Sequence, residues 1–201
     1  AYVYGKDPKS GEIFVHIEPA VGGWGATSKR DGTAALIATT DGDTYNYSVE
    51  LFEAKFPLHI RQYALNTAEG VGEGRYRGGF GAVREFEILA DEASTYASFG
   101  RTKEPPWGLQ GGAEGSCNFM EIESGGETRR VARIPYHALK QGDRVRVITG
   151  GGGGYGDAFA RPAQEVLEDV RNDYITPQTA RDKYGVALTA DGAVDAAATQ
   201  S

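Results

Sequence analysis

The stretch Arg144-Val145-Arg146-Val147-Ile148-Thr149-Gly150-Gly151-Gly152-Gly153-Gly154-Tyr155-Gly156-Asp157 decides what kind of fold this sequence builds. Arg144 to Thr149 reads as a strand. Gly151, Gly153 and Gly156 satisfy G-x-G-x-x-G, and a helix is predicted soon after, with Pro162 in its first turn. Strand, glycine turn and helix are the context of a phosphate cradle in a parallel α/β fold. Three features turn the reading away from it. Asp157 sets negative charge where phosphate would lie. No strand–helix–strand unit follows, and no Lys-Ser or Lys-Thr pair follows the glycines. The run therefore reads as a tight backbone crossing or a buried subunit contact, with different kinds of structure on its two sides.

Upstream, short strands recur. Residues 11 to 18 place Ile13, Val15 and Ile17 two apart, with Phe14 and His16 on the opposite face. Alternation returns, imperfectly, over 82 to 89 through Val83, Phe86 and Ile88. Residues 94 to 99, 127 to 134 and 144 to 149 also read as strands, with Arg129 to Ile134 as a half-solvated edge. Glycine pairs at 22–23, 78–79, 111–112 and 125–126 separate the runs. Residues 41 to 59 leave two readings open: a short helix from Val49 ended by Pro57, or an irregular strand.

Downstream, Val166, Leu167 and Val170 form an apolar stripe at helical spacing, with Glu165, Glu168 and Asp169 read as its solvated face. Thr176-Pro177 reads as N-cap and first residue of a second helix that stops at Gly185. From about Thr189 the chain is rich in Ala, Thr, Asp and Gly, without apolar periodicity. The predicted fold class is α+β: a β-rich body, sandwich or barrel-like, over 1–158, a pair of short C-terminal helices over 159–186, and a disordered tail over 187–201.

Composition sets outer limits. With 201 residues, 40% hydrophobic and 24% charged, the chain can bury a core without a staple. Its 29 glycines point to turns and close chain approaches rather than long helices. A net charge of -7 disfavours nucleic acid and anionic membrane as partners. No apolar run approaches the ~20 residues that span a bilayer. Cys117 is the sole cysteine, so no internal disulfide forms, which fits a cytoplasmic location.

Few residues advertise chemistry. Arg75 to Phe86 carries a loose likeness to an RNA-binding signature, with one glycine too many and no second aromatic motif upstream. His16, His59 and His137 lie far apart and outside any metal-ligand spacing. Trp107, after Pro105-Pro106, reads as a rigid turn packed on the body. The best local candidate is the loop Gly22 to Gly32. It offers Trp24 as an aromatic plate, Lys29 and Arg30 as cations and Asp31 as a carboxylate, flanked by glycines. These four are the candidate substrate-binding residues; a solvated loop with Arg30 and Asp31 paired on the surface is the competing reading. No catalytic, cofactor-binding or metal-ligating residue is assigned.

Several segments together resemble the hydantoinase B/oxoprolinase family. Gly22-Gly23-Trp24-Gly25-Ala26 with Asp31-Gly32 is similar to its glycine-rich loop, and Glu50-x-x-Glu53-Ala54-x-Phe56-Pro57-Leu58 to its Glu-Ala…Pro-Leu run. Gly72-x-Gly74-Arg75-Tyr76-Arg77-Gly78-Gly79-x-Gly81 resembles its Gly-Arg-Tyr-Arg-Gly-Gly signature, and Gly150 to Asp157 its glycine run. Val166 to Arg171, with Ala180-Arg181 and Tyr184-Gly185-Val186, resembles its closing helices.

The resemblance implies a subunit or fragment of an ATP-dependent hydantoinase/oxoprolinase-type amidohydrolase that opens a cyclic amide. It leaves two alternatives: a subunit of an ATP-dependent ketone carboxylase of the acetone or acetophenone type, and a non-catalytic structural module of a larger complex. It implies that ATP and a divalent metal bind elsewhere in the complex, and that the partners are a hydantoinase A-type subunit and the N-terminal part of the B-type subunit. The matched segments belong to the C-terminal part of such subunits, so the isolated chain is expected to be inactive.

Overall fold

The computed structural model describes residues 2–17, 19–38, 41–42 and 45–199. Among these described residues nine strands form two antiparallel sheets. The first has the order β2-β1-β5-β8, built from β1 (Tyr2–Lys6), β2 (Ile13–Ile17), β5 (Glu92–Ser98) and β8 (Arg133–Lys140). The second has the order β3-β4-β9-β6-β7, from β3 (Leu58–Asn66), β4 (Gly81–Ile88), β9 (Arg144–Ile148), β6 (Phe119–Ser124) and β7 (Glu127–Val131). Val3, Phe14, Ala97 and Leu139 from the first sheet share one core with Leu58, Phe86, Met120, Ile122 and Val145 from the second. Two faces closing on a common apolar layer make a β-sandwich. Of the two sandwich or barrel-like forms expected, the sandwich is the one formed, within the α+β class.

The strand expected over residues 11 to 18 is β2; Glu18 lies outside the described residues. Its buried face is Phe14 and His16, while Ile13, Val15 and Ile17 point outward. The run expected over 127 to 134 is two strands, not one. β7 pairs with β6 in one sheet and β8 pairs with β5 in the other. Val131 and Ile134 are three residues apart and both buried. A continuous strand would point them to opposite faces, so the chain changes sheets at Ala132.

The ambiguity over 41 to 59 resolves as α1 (Val49–Lys55), capped by Ser48 Oγ, which accepts from Leu51 N at 3.3 Å. Phe52 and Phe56 plug one side of the sandwich core. The helical pair is α2 (Ala163–Arg171) and α3 (Pro177–Tyr184). Pro162 sits one residue earlier than expected, flanking α2. Thr176 Oγ1 accepts from Thr179 N at 3.0 Å, and Gly185 ends α3 with φ 69°. Val166, Ala180, Tyr184 and Val186 form a second small core.

The stretch read from its composition as a disordered tail has defined structure through Thr199: Leu188 bridges Val194, both packed on that second core, and Ala187 N donates to Thr199 Oγ1 at 3.2 Å. Among the described residues no helix is long and apolar enough to cross a membrane.

Candidate functional site

Gly150 to Gly154 leave β9 and run, fully buried, between three loops. A Cβ on each glycine would meet backbone or side-chain atoms of a neighbour within 2.6 Å. At Gly150 and Gly153 the obstacles are the carbonyls of Ser116 (1.9 Å) and Trp107 (2.1 Å). At Gly151 and Gly154 they are those of Gly70 (2.6 Å) and Glu73 (2.1 Å), and at Gly152 that of Trp24 (2.0 Å). Residues three apart therefore face the same loop. This is the three-residue period of an extended, polyproline-II-like strand, with one loop against each of its three faces. None of the five has positive φ, so glycine is required here for space rather than for conformation.

The main chain also follows this period. Gly23 N and Ala26 N, three apart, donate to Gly150 O (3.1 Å) and Gly153 O (2.8 Å). Gly72 N donates to Gly152 O, Ser116 N to Gly151 O and Leu109 N to Gly154 O, at 2.9 to 3.1 Å. In the other direction, Gly152 N donates to Gly79 O and Gly154 N to Ala113 O, while Gly150 N and Gly151 N donate to Asn118 Oδ1 and Ser116 Oγ. Four of the five amides of the run are already bonded within the protein. The glycine-bearing neighbours are equally tight: a Cβ on Gly78 would sit 1.9 Å from Gly152 O, and one on Gly32 would sit 2.0 Å from Trp24 O. The run is a tight backbone crossing, as its sequence context suggested.

This bundle positions the candidate loop. Trp24 is held by its main chain, its N donating to Thr33 O and its O accepting from Gly79 N, while its indole stays 40% exposed. Lys29 and Arg30 project from the surface. Asp31 turns the other way. Its two oxygens accept from Arg161 Nη1 (2.8 Å) and Nη2 (2.9 Å), and Oδ1 also accepts from Arg77 N (2.9 Å). Asp31 therefore pairs with Arg161, and the loop carboxylate is separated from the two loop cations.

Arg161 has a second partner. Its Nη2 donates to Asp169 Oδ2 at 2.9 Å, and Asp169 also accepts from Arg77 Nε at 3.0 Å. Two arginines and two aspartates thus tie the 22–32 loop, the 72–81 loop and α2 into one network. Burial works against the Arg161 charge, but the hydrogen bonds to Asp31 and the charges of Asp169 and Asp31 outweigh it and hold its pKa above the ordinary value. Beside it, burial raises the pKa of the Tyr184 phenol.

The expected solvated face of α2 needs correction at Asp169, which is buried. It lies three residues after Val166, on the apolar stripe itself, so its spacing carried the signal. Arg77 and Arg161 were missed because an isolated arginine gives no local sign of a carboxylate 92 or 130 positions away.

The other motifs fall into place structurally. Phe80 and Phe86 of the 75–86 segment are buried, and Tyr76 is half-buried under the Arg75 guanidinium. Trp107 differs from its expected role. Its carbonyl packs on Gly153, but its ring is 66% exposed under the Arg101 guanidinium, 4.8 Å from the centroid. His16 sits in the core among Phe52, Phe56 and Phe86 at 4.7 to 6.1 Å, and burial, aided by the Arg84 charge, lowers its pKa to about 4. Burial, then the charges of Glu104, Glu114 and Glu69, raise the Cys117 pKa, which keeps the thiol protonated. Among the described residues no group of three His, Cys, Asp or Glu side chains is arranged to hold a metal ion.

Comparison with known proteins fits this architecture. The family model for hydantoinase B/oxoprolinase matches residues 1–158. The B subunit of a putative D-/L-hydantoinase of Pseudomonas sp. (strain NS671) is 29% identical over 90% of this chain and 31% of its own. The beta subunit of the caprolactamase of Pseudomonas jessenii is 32% identical over 99% of this chain and 36% of its own. The crystal structure of the ATP-dependent caprolactamase from that organism superposes with a TM-score of 0.82, 29% identity, and coverage of 98% of this chain and 36% of the other. A nucleotide-free acetone carboxylase shares the fold, with a TM-score of 0.83 at 23% identity over 98% of this chain and 31% of the other. The chain spans about a third of the length of these relatives. With the family model covering most of its length, the chain belongs to the hydantoinase B/oxoprolinase family.

Proposed function

We propose that these residues form the C-terminal portion of a B-type subunit in an ATP-dependent amidohydrolase that opens a cyclic amide. The observation that carries this reading is the 32% identity to the beta subunit of a caprolactamase along 99% of the chain. The alpha subunit of an acetone carboxylase from Xanthobacter autotrophicus is also similar, at 28% identity over 90% of the chain, and keeps the carboxylase as the second reading. In this reading ATP and a divalent metal are held by other parts of the complex. The partners are an A-type subunit and the N-terminal part of the B-type subunit, in the cytoplasm.

The contribution of this chain is the loop that the glycine bundle holds in place. Trp24 offers a face for a planar amide to stack on, and Lys29 or Arg30 supplies positive charge where negative charge develops on the amide oxygen. Asp31 is a positioning residue: it fixes the end of the loop to Arg161 and leaves the two cations directed outward.

The test is a substrate panel on the assembled enzyme. Hydantoin, 5-oxoproline and caprolactam are each supplied with ATP, and acetone and acetophenone with ATP and bicarbonate. Ring-opened product from a cyclic amide supports the proposal. Bicarbonate-dependent carboxylation of a ketone, with no amide opened, overturns it in favour of the carboxylase alternative; no ATP-dependent turnover of either class leaves a structural module.

A further inference from the structure

The two sheets carry opposite kinds of outer face. On β4, β9, β6 and β7, residues in register across the strands are charged and paired. Arg146 meets Glu85 (2.7 Å) and Glu121 (3.4 Å), Arg144 meets Glu123 (3.6 Å), and Arg130 meets Glu121 (3.2 Å). Arg61 and Glu87 extend the ladder toward β3. Such a face is satisfied in water.

The outer face of the first sheet has no such ladder among its described residues. Tyr2 stands opposite Ile17 on one side and Tyr96 on the other, and Tyr4 opposite Val15. The rings of Tyr2 and Tyr96 meet edge to face at 5.3 Å. Ile13, Val15 and Ile17 are 81%, 52% and 57% exposed, and Tyr136 on β8 is also exposed. A contiguous apolar face of aliphatic and aromatic side chains is costly to leave in water and marks an interaction surface.

We propose that this face is covered by the portion of a B-type subunit that these 201 residues do not contain. The inference rests on the assignment of the chain to such a subunit. In two solved relatives the same fold, matched over 98% of this chain, makes up 31% and 36% of a longer polypeptide. About two thirds of each such polypeptide is therefore available beside this domain. A second copy of the chain and the A-type subunit are the other occupants that the test distinguishes.

The test is photocrosslinking in the assembled enzyme. p-Benzoylphenylalanine is installed in place of Val15 on the apolar face and, separately, in place of Thr128 on the charged face. Adducts are identified by mass spectrometry. The expected result is an adduct from position 15 to a peptide of the B-type polypeptide outside residues 1–201, with a yield at least tenfold above that from position 128. An adduct to a second copy of residues 1–201, an adduct only to the A-type subunit, or equal low yields at both positions overturns the proposal. The crosslink reads contact rather than turnover. An inactive complex with the expected adduct would sink the amidohydrolase reading and leave this one standing.

Discussion

Arg161 holds both oxygens of Asp31, at 2.8 and 2.9 Å, across 130 positions of sequence. The pair joins the glycine-rich loop to the segment that leads into α2. Its arginine side chain is almost completely buried, with Asp169 at 2.9 Å and Glu165 at 3.4 Å as further carboxylates. Removing Asp31 takes two short hydrogen bonds from the buried Arg161 and leaves its charge to Asp169 and Glu165. Asp31→Asn is expected to destabilise the chain by about 3 kcal/mol, measured by urea denaturation near neutral pH. Glu168→Gln on the exposed side of the same helix is expected to change stability by less than about 0.5 kcal/mol. Equal, small effects would show that the latch contributes little.

The glycine bundle makes a sharper forecast. Gly153→Ala sets a methyl 2.1 Å from the Trp107 carbonyl, and neither main chain has room to yield. A loss of about 3 kcal/mol or more is expected, read as a lower melting temperature or insoluble protein. Gly100 has no atom within 4 Å of its missing Cβ and no positive φ, so Gly100→Ala is expected to be neutral within about 0.5 kcal/mol.

A pH dependence follows from His16. Its pKa is about 4 in the folded chain, against 6.5 when unfolded. Between those values the unfolded state binds the proton and the folded state does not, so stability falls as pH drops through 6.5 toward 4. From pH 7 to pH 5 this one group is expected to remove about 2 kcal/mol. The denaturation midpoint of His16→Gln should change less over that interval than that of the parent chain. Parallel curves would mean that His16 is not the group responsible.

What was legible in the sequence followed local pattern. Alternation found β2, β4, β5 and β9, and capping chemistry at Thr176 and Gly185 found both ends of α3. The strands that escaped had weaker signals. β3 is mostly exposed, so no apolar face alternates along it, and β6 offers just three apolar positions, the last of them between Glu121 and Glu123. The role of Asp31 was beyond local pattern, because its partners lie on loops and helices brought together by the glycine bundle. Trp24, Lys29 and Arg30 were singled out for their side chains, and it is the carbonyl of Trp24 that the glycine strand grips.

In the function we propose, the glycine bundle carries the loop of residues 24 to 31 to a substrate whose oxygen gains charge during reaction. The measurement that tests it most directly is the steady-state turnover of the assembled enzyme with Arg30→Ala and with Lys29→Ala, alongside sedimentation to confirm normal assembly. Both side chains are exposed in this chain, so neither substitution should disturb the fold. Loss of a donor to a developing oxyanion typically lowers kcat by about 10² to 10³. A fall of that size is expected for at least one of the two, with assembly and melting temperature unchanged. Unchanged turnover for both, in normally assembled enzyme, would contradict it and leave the loop a surface feature of a scaffold domain.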